Sequence, residues 1–437
     1  MMNEYRKRVK KILPGGVHYN FNIPWEESPL HFVKTKDSRV WDMDGKEYLD
    51  LYARFGSMIL GHGEKEYLSE LKALIDRALS VSHCDLDAEA LELISRFVPC
   101  AEMVRFGVSG TEIVQNAIRL ARAYTGKEKI VRFENHYHGN ADNIMGGKTT
   151  KSSPLIPCEY KGDTKGTLGR GKDALTQGYL LPWNNPAALE QLLDEHHGEI
   201  ATVITEPVCV NGGSVMPAEG YLQKMRELCS KYNVVLIFDE IITGFRMNLG
   251  GAQAEFGIIP DLTTLGKAIA GGGLPVSALA GKRAIMSLLT EKKVVHAGTF
   301  NGYPLGTAAV KATLEILSRN GGAVYKAMNG MALKMRTILE EEAEKVGLPL
   351  ITQGPPSCGA YHCCEKVLSS PSEYTANIMM LDAALNSNLA SNGILISSIS
   401  RIYPNISLND NDVEWFRERV GTALKETKSL YDELNWS

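Results

Sequence analysis

"VVLIFDE", residues 234–240, sets five apolar side chains in a row before two carboxylates. A run this short, rich in β-branched and aromatic residues, predicts a strand buried on both faces. Such strands occur in parallel sheets covered by helices. The carboxylate of Asp239 then emerges at the strand's carboxyl end, where open α/β sheets bind ligands. Working outward, "MVRFGV" (103–108), "KIVRF" (129–133), "ATVITEPV" (201–208) and "PVSALAG" (275–281) read as further strands. Helical stretches such as 111–125 and 220–232 lie between several of them. Strands alternating with helices imply a mainly parallel sheet in an α/β fold.

The flanks read differently. "SRVWDMDGKEYLDLY" (38–52) predicts a β-hairpin turning at Asp44-Gly45, a pair suited to positive φ. A long amphipathic helix from about residue 325, strand-like pieces and a final helix over 411–432 follow the sheet segment. The expected organisation is residues 1–60 as an N-terminal helix and hairpin segment, 61–322 as the large domain, and 323–437 as a smaller α+β domain. In "VSGTEIVQNAIRLARAYTG" (108–126), Ser109 and Glu112 form a capping box, and Gly126 is placed to end the helix. Ile113, Ala117, Leu120, Ala121 and Tyr124 make its inward face.

Composition excludes several classes. A formal charge of -4 gives no reason for a nucleic-acid or anionic-membrane partner, and no apolar run approaches the ~18–20 residues of a membrane span. The basic "MMNEYRKRVKKILPGG" lacks the apolar stretch of a secretory signal. Tyr5, Val9, Ile12 and Leu13 share a helical face there, so the segment is expected to dock on the body or on a second subunit, with a transit peptide as the alternative and the cytosol as the expected compartment. The eight cysteines are scattered, and "YHCC" (361–364) points adjacent side chains to opposite faces, so buried thiols rather than a metal site are expected. Gly166–Lys172 matches GxxxxGK, but Asp173 stands where a magnesium-holding hydroxyl should be. A surface loop is the better reading.

Four pieces carry chemistry. Lys267, in "PDLTTLGKAIAGGGLPVSALAG" (260–281), is the single cation among small and apolar residues, and burial favours its neutral, nucleophilic form. Asp239 lies 28 residues earlier, a separation that fits a crossover. Ser109, Gly110 and Thr111 follow a strand and open a helix, which makes a phosphate seat without a basic side chain. Tyr137 and His138, in "ENHYHGNAD" (134–142), reach the same edge, where a flat side chain can stack on a ring. Taken singly, each has a bland reading as a cap, a packed aromatic or a structural ion. Together they match pyridoxal phosphate chemistry, in which a carboxylate keeps the pyridine nitrogen protonated and a lysine holds the aldehyde.

These stretches resemble the class III aminotransferases of fold type I, over about residues 35–320. "RLARAYTGKEKIVRFENHYHGNAD", "EPVCVN", "FDEIITGFR", "GGAQAEFGIIPDLTTLGKAIAGGGLP" and "AGTFNGYPL" stand in the family's order, and within it look most like the glutamate-1-semialdehyde aminomutases. The resemblance implies a seven-stranded, mainly parallel sheet, a smaller domain made by both chain ends, and pyridoxal 5'-phosphate. It implies that Lys267 carries the cofactor and shuttles a proton. Asp239 would pair with the pyridine nitrogen, Ser109, Gly110 and Thr111 would hold the phosphate, and Tyr137, with His138 beside it, would stack on the ring. Glu206 and Asn211 would lie near its polar edge, and Ile241 on its other face. Thr299 would reach the phosphate in the partner subunit, which implies a homodimer with shared active sites.

Departures from the aminomutase pattern bear on the substrate. The arginine expected after Gly-Gly-Val falls on Asn22, the loop "NIMGGKTTKSSPL" (143–155) lacks the glycine–serine stretch, and Ile402 replaces a glutamate beside Arg401. They favour an aminotransferase passing an amino group from an amino-acid donor to a keto or aldehyde acceptor. Arg401 and Arg54 are candidates for a substrate carboxylate, and Phe55, in place of a family tryptophan, for the pocket wall. A 2,1-aminomutase or amino-acid racemase uses the same cofactor residues, and the requirement for a separate acceptor distinguishes them. A non-catalytic scaffold is opposed by the retention of Lys267 and Asp239.

Overall fold

The fold is built around the strand Val235–Glu240, and the computed structural model describes residues 2–19, 29–145, 169–171, 174, 177–397 and 400–435. The strands are β1 (Phe32–Lys36), β2 (Arg39–Asp42), β3 (Glu47–Asp50), β4 (Met103–Gly107), β5 (Lys129–Phe133), β6 (Gly178–Leu181), β7 (Ile200–Thr205), β8 (Val235–Glu240), β9 (Leu262–Leu265), β10 (Ser277–Gly281), β11 (Ile351–Gln353), β12 (Ala360–His362) and β13 (Ile394–Leu395). Seven of them form the main sheet, in the order β4-β10-β9-β8-β7-β5-β6. Strands β9, β8, β7, β5 and β6 run parallel, and β10 is antiparallel to both β9 and β4.

Every residue of β7 and β8 is buried, as an apolar run without alternation requires. The pleat still sorts the side chains into two cores. Ile130, Ile204, Val235 and Ile237 meet Ile113, Ala117, Leu120 and Ala121 of the helix Gly110–Thr125. Val131, Phe133, Val203, Leu236 and Phe238 face Leu189, Leu192, Leu222 and Met225 of the helices Pro186–His196 and Tyr221–Lys231. Truncating a side chain such as Leu236 to Ala would cost on the order of 2–5 kcal/mol, because neither core can collapse around the void.

Both chain ends meet in a second body. A sheet ordered β1-β2-β3-β13 pairs the C-terminal β13 in parallel with the N-terminal β3, Ile394 opposite Leu49. The helices Ala323–Val346, Ala376–Ser391 and Asp410–Asn435 cover it, with Leu49, Leu339, Leu385, Phe416 and Val420 in a common core.

Three sequence expectations change. The N-terminal helix stops at Lys10, before Pro14-Gly15-Gly16, so Ile12 is 89% exposed; only Met2 of that helix is buried, and Tyr5 packs edge-on to His31. Tyr124, expected on the inward face, is 46% exposed in the last turn of the helix, just before its Gly126 cap. β6 and β9, four residues each, add two strands that the sequence reading did not resolve. Of the GxxxxGK run only Gly169, Arg170 and Gly171 are among the described residues; the rest of it, the loop 143–155 from residue 146 onward and Asn22 lie outside them. His362 is engaged between Asp382 and the Gly213 carbonyl, and Cys363 is buried beside it. Among the described residues, no helix is long and apolar enough to cross a membrane.

Candidate active site

The cavity of about 430 Å³ at the carboxyl ends of the parallel strands collects Gly110, Thr111, Tyr137, His138, Glu206, Asn211, Asp239, Ile241 and Lys267, with Arg54 and Phe55 among its other lining residues. Lys267 follows β9 in the left-handed region, φ +46°, between Gly266 and the turn that continues to Ala270. Its side chain is largely buried, and what remains exposed faces this cavity. Burial lowers its pKa to about 8, helped by the positive charge of Arg401 and opposed by Asp239 and Glu206. A substantial share of the amine is therefore neutral near physiological pH.

Asp239 ends β8 with both oxygens engaged. Oδ2 is 2.7 Å from Nδ1 of His138, and Oδ1 accepts from Thr264 Oγ1 at 3.1 Å and from the Ile241 N–H at 3.1 Å. A carboxylate can only accept, so Nδ1 of His138 carries the proton. Nε2 of His138 is buried and has no hydrogen-bond partner among the described residues.

The helix Gly110–Thr125 aims its N-terminus into the cavity. Ser109 Oγ accepts the Glu112 N–H at 3.3 Å, whereas Glu112 Oε2 receives Val108 N–H instead of Ser109 N–H, a displaced form of the capping box. The Ser109 side chain caps the helix and is not among the lining groups; Gly110 and Thr111 are. A Cβ on Gly139, at φ +104°, would stand 2.6 Å from Thr111 Oγ1, so only glycine lets the Tyr137–Asn140 loop lie against this helix end. Ile241 is wedged between Gly110 and Gly266, whose added Cβ atoms would meet it at 3.3 and 3.0 Å.

Glu206 is buried and its pKa is raised by that burial. It accepts the Tyr137 N–H at 2.8 Å and Asn211 Nδ2 at 2.9 Å, and Asn211 Oδ1 in turn accepts Arg401 Nη1 at 2.5 Å. Arg401 is thus buried behind Asn211 and does not line the cavity. Thr299 is exposed on a separate loop beside Phe300 and lies outside this cavity.

Residues 23–424 match the family described as aminotransferase class-III. The chain belongs to the class-III aminotransferases. Among solved structures, this aminotransferase is similar to an omega-transaminase from Sphaerobacter thermophilus at 28% identity, with 98% of each chain covered and a TM-score of 0.89. A beta-phenylalanine aminotransferase from Variovorax paradoxus (24%, 98% and 94% covered, TM-score 0.84) shares the fold. So does a glutamate-1-semialdehyde-aminomutase from Pseudomonas aeruginosa PAO1 (23%, 98% and 94% covered, TM-score 0.87). The aminotransferase is pyridoxal 5'-phosphate-dependent, and the cavity suits that cofactor. The backbone N–H groups at Gly110 and Thr111 could hold a phosphate at the positive helix end. Tyr137 and Ile241 could bracket a flat ring, with Asp239 and Lys267 also among the lining residues.

Two supports of the aminotransferase site escaped the sequence reading. His136 Nδ1 accepts the Glu206 N–H at 3.0 Å, and burial holds His136 neutral. Residues 53–56 form a left-handed turn, with φ of +46°, +49°, +57° and +79° at Ala53, Arg54, Phe55 and Gly56. Left-handed geometry costs roughly 1–2 kcal/mol for each non-glycine residue. The turn is held by Asp50 Oδ1, which accepts the Ala53 N–H at 2.8 Å while Oδ2 meets His62 Nε2 at 2.8 Å. Arg246 Nε donates to the Gly56 carbonyl at 2.8 Å, and its Nη1 reaches the Pro404 carbonyl at 2.8 Å and that of Ser357 at 3.3 Å.

Proposed function

We propose that this aminotransferase takes the amino group from an amino-acid donor, holds it on the cofactor and passes it to a keto or aldehyde acceptor. When bound, pyridoxal phosphate supplies an electron sink that makes the hydrogen on the amine-bearing carbon acidic. Lys267 Nζ is the group proposed to anchor the cofactor and, once released, to take that proton and return it; a pKa near 8 suits both tasks. Asp239, fixed by His138, Thr264 and the Ile241 N–H, would keep the pyridine nitrogen protonated. Gly110 and Thr111, with Ser109 capping their helix, would seat the phosphate, and Tyr137 and Ile241 would bound the ring. Glu206 and Asn211 would fix the polar edge and the Tyr137 loop, with Arg401 bracing Asn211. Phe55 would form part of the substrate wall.

The observation that carries this reading is the convergence of Lys267 and Asp239 on one cavity with a helix N-terminus. The proposal includes a homodimer in which Thr299 reaches the partner's cofactor phosphate, in keeping with its exposure beside Phe300 and Val295, 65% and 68% exposed. It also includes a cytosolic location and the division into residues 1–60, 61–322 and 323–437. The test is a half-reaction. The loaded enzyme given an amino donor without acceptor should release one keto product per site and lose its visible absorbance. A stoichiometric return of isomerised donor, with no keto product, would assign the chain to the aminomutase or racemase alternative instead.

A further inference from the structure

The strained turn places one side chain with no structural task. Arg54 is exposed and lines the cavity that holds Lys267; its carbonyl accepts from Ser57, but its guanidinium has no ion-pair or hydrogen-bond partner among the described residues. Of the cavity's lining residues, only Arg54 and Lys267 are of the fully cationic types. The two carboxylates of the cavity are engaged elsewhere, Asp239 with His138 and Glu206 with Asn211 and the Tyr137 N–H. The neighbouring Phe55 packs edge-on against Tyr52 at 4.8 Å and Tyr19 at 5.4 Å, so an aromatic wall stands beside the free guanidinium. Left-handed backbone at three consecutive non-glycine residues persists only where the surroundings enforce it, and such strain gathers at functional sites. Here Asp50, Arg246 and the ring of Tyr403 enforce it: a Cβ on Gly56 would stand 2.6 Å from Tyr403 Cε1.

We propose that Arg54 is the specificity-determining cation of the site, which binds the carboxylate of acid substrates at the cavity mouth. This rests on the aminotransferase reading and adds the residue that holds the acid group, narrowing the acceptor to keto acids and setting amino acids above plain amines. Arginine's planar fork matches a carboxylate bidentately, and the aromatic wall lowers the local dielectric without competing for the charge. Arg401, the other arginine candidate, already donates to Asn211 behind the cavity wall.

The test compares ω-amino acids from β-alanine to 5-aminopentanoate with the matching alkylamines, in the wild-type holoenzyme and in Arg54→Gly, Arg54→Gln and Arg54→Lys. The acid-to-amine ratio of kcat/KM should fall about 10- to 100-fold in the Gly and Gln variants, through KM, with part retained by Lys. Glutarate, titrated calorimetrically into the holoenzyme, should lose at least about tenfold in affinity in the same two variants. Arg54→Gly should also raise the thermal midpoint, because glycine accepts φ +49° without strain. A ratio that does not move, or glutarate that binds wild type and Arg54→Gln alike or not at all, overturns the assignment. A wild-type enzyme that turns over neither acids nor amines defeats the aminotransferase reading, and the glutarate titration still decides Arg54.

Discussion

Lys267→Met should stabilise the cofactor-free protein at neutral pH and do so less as the solution becomes alkaline. In the folded chain burial and Arg401 bring the ammonium's pKa from the ordinary 10.5 to about 8. At about 1.36 kcal/mol per pH unit, that gap corresponds to an upper figure of about 3 kcal/mol. Cavity water solvates part of the ammonium, so a gain of roughly 1–3 kcal/mol is expected from Met. The sign follows from proton counting. Between pH 8 and 10.5 the unfolded chain binds more protons than the folded one, so wild-type stability rises with pH through that window. Below about pH 8 the full destabilisation is present, and above about 10.5 it is gone. Urea unfolding of both apoproteins, followed by circular dichroism at about pH 7 and pH 10, reads the difference directly. Equal midpoints at pH 7, or an advantage for Met that is undiminished at pH 10, would refute the idea that a buried charge is being held against the fold.

Two further outcomes follow from geometry. Gly56→Ala drives a methyl into the fully buried Tyr403 ring at a left-handed φ of +79°, which should cost roughly 2–4 kcal/mol and lower the thermal midpoint by several degrees. His138→Ala removes the donor to Asp239 Oδ2; loss of a hydrogen bond to a charged group is worth roughly 1.5–3 kcal/mol, so the cofactor dissociation constant in equilibrium dialysis should rise about 10- to 100-fold.

The parts of the site that were legible in sequence are those that follow from local pattern. An apolar run of strand length delivers Asp239 to a sheet edge, a capping residue delivers a helix N-terminus, and a lysine among glycines announces a guarded amine. Each needs only neighbours within a few residues. The parts that were not legible depend on partners far along the chain. Asn211 meets Arg401 across 190 residues, and His136 meets Glu206 across 70. Nothing local in "LYARFGS" marks four left-handed residues, because three of them are not glycine and the conformation is imposed by Asp50, Arg246 and Tyr403. The short β6 and β9 were obscured for a related reason. Four residues carry too little periodicity to register, and it is the flanking strands that recruit them. Tyr124 shows the limit of helical periodicity, which gives the angle around an axis and not how deeply the last turn is covered.

The Arg246 guanidinium has a consequence for biosynthesis. It gathers carbonyls from residues 56, 357 and 404, and the first of these leaves the ribosome nearly 350 residues ahead of the last. A nascent chain can lay down most of the large sheet, Lys267 and Asp239 included, while the substrate-facing mouth still lacks the clamp that bends it. Completion of the entrance is thereby tied to the emergence of the final tenth of the polypeptide, and a chain arrested before that point would lack both the Pro404 end of this clamp and the Arg401 brace on Asn211.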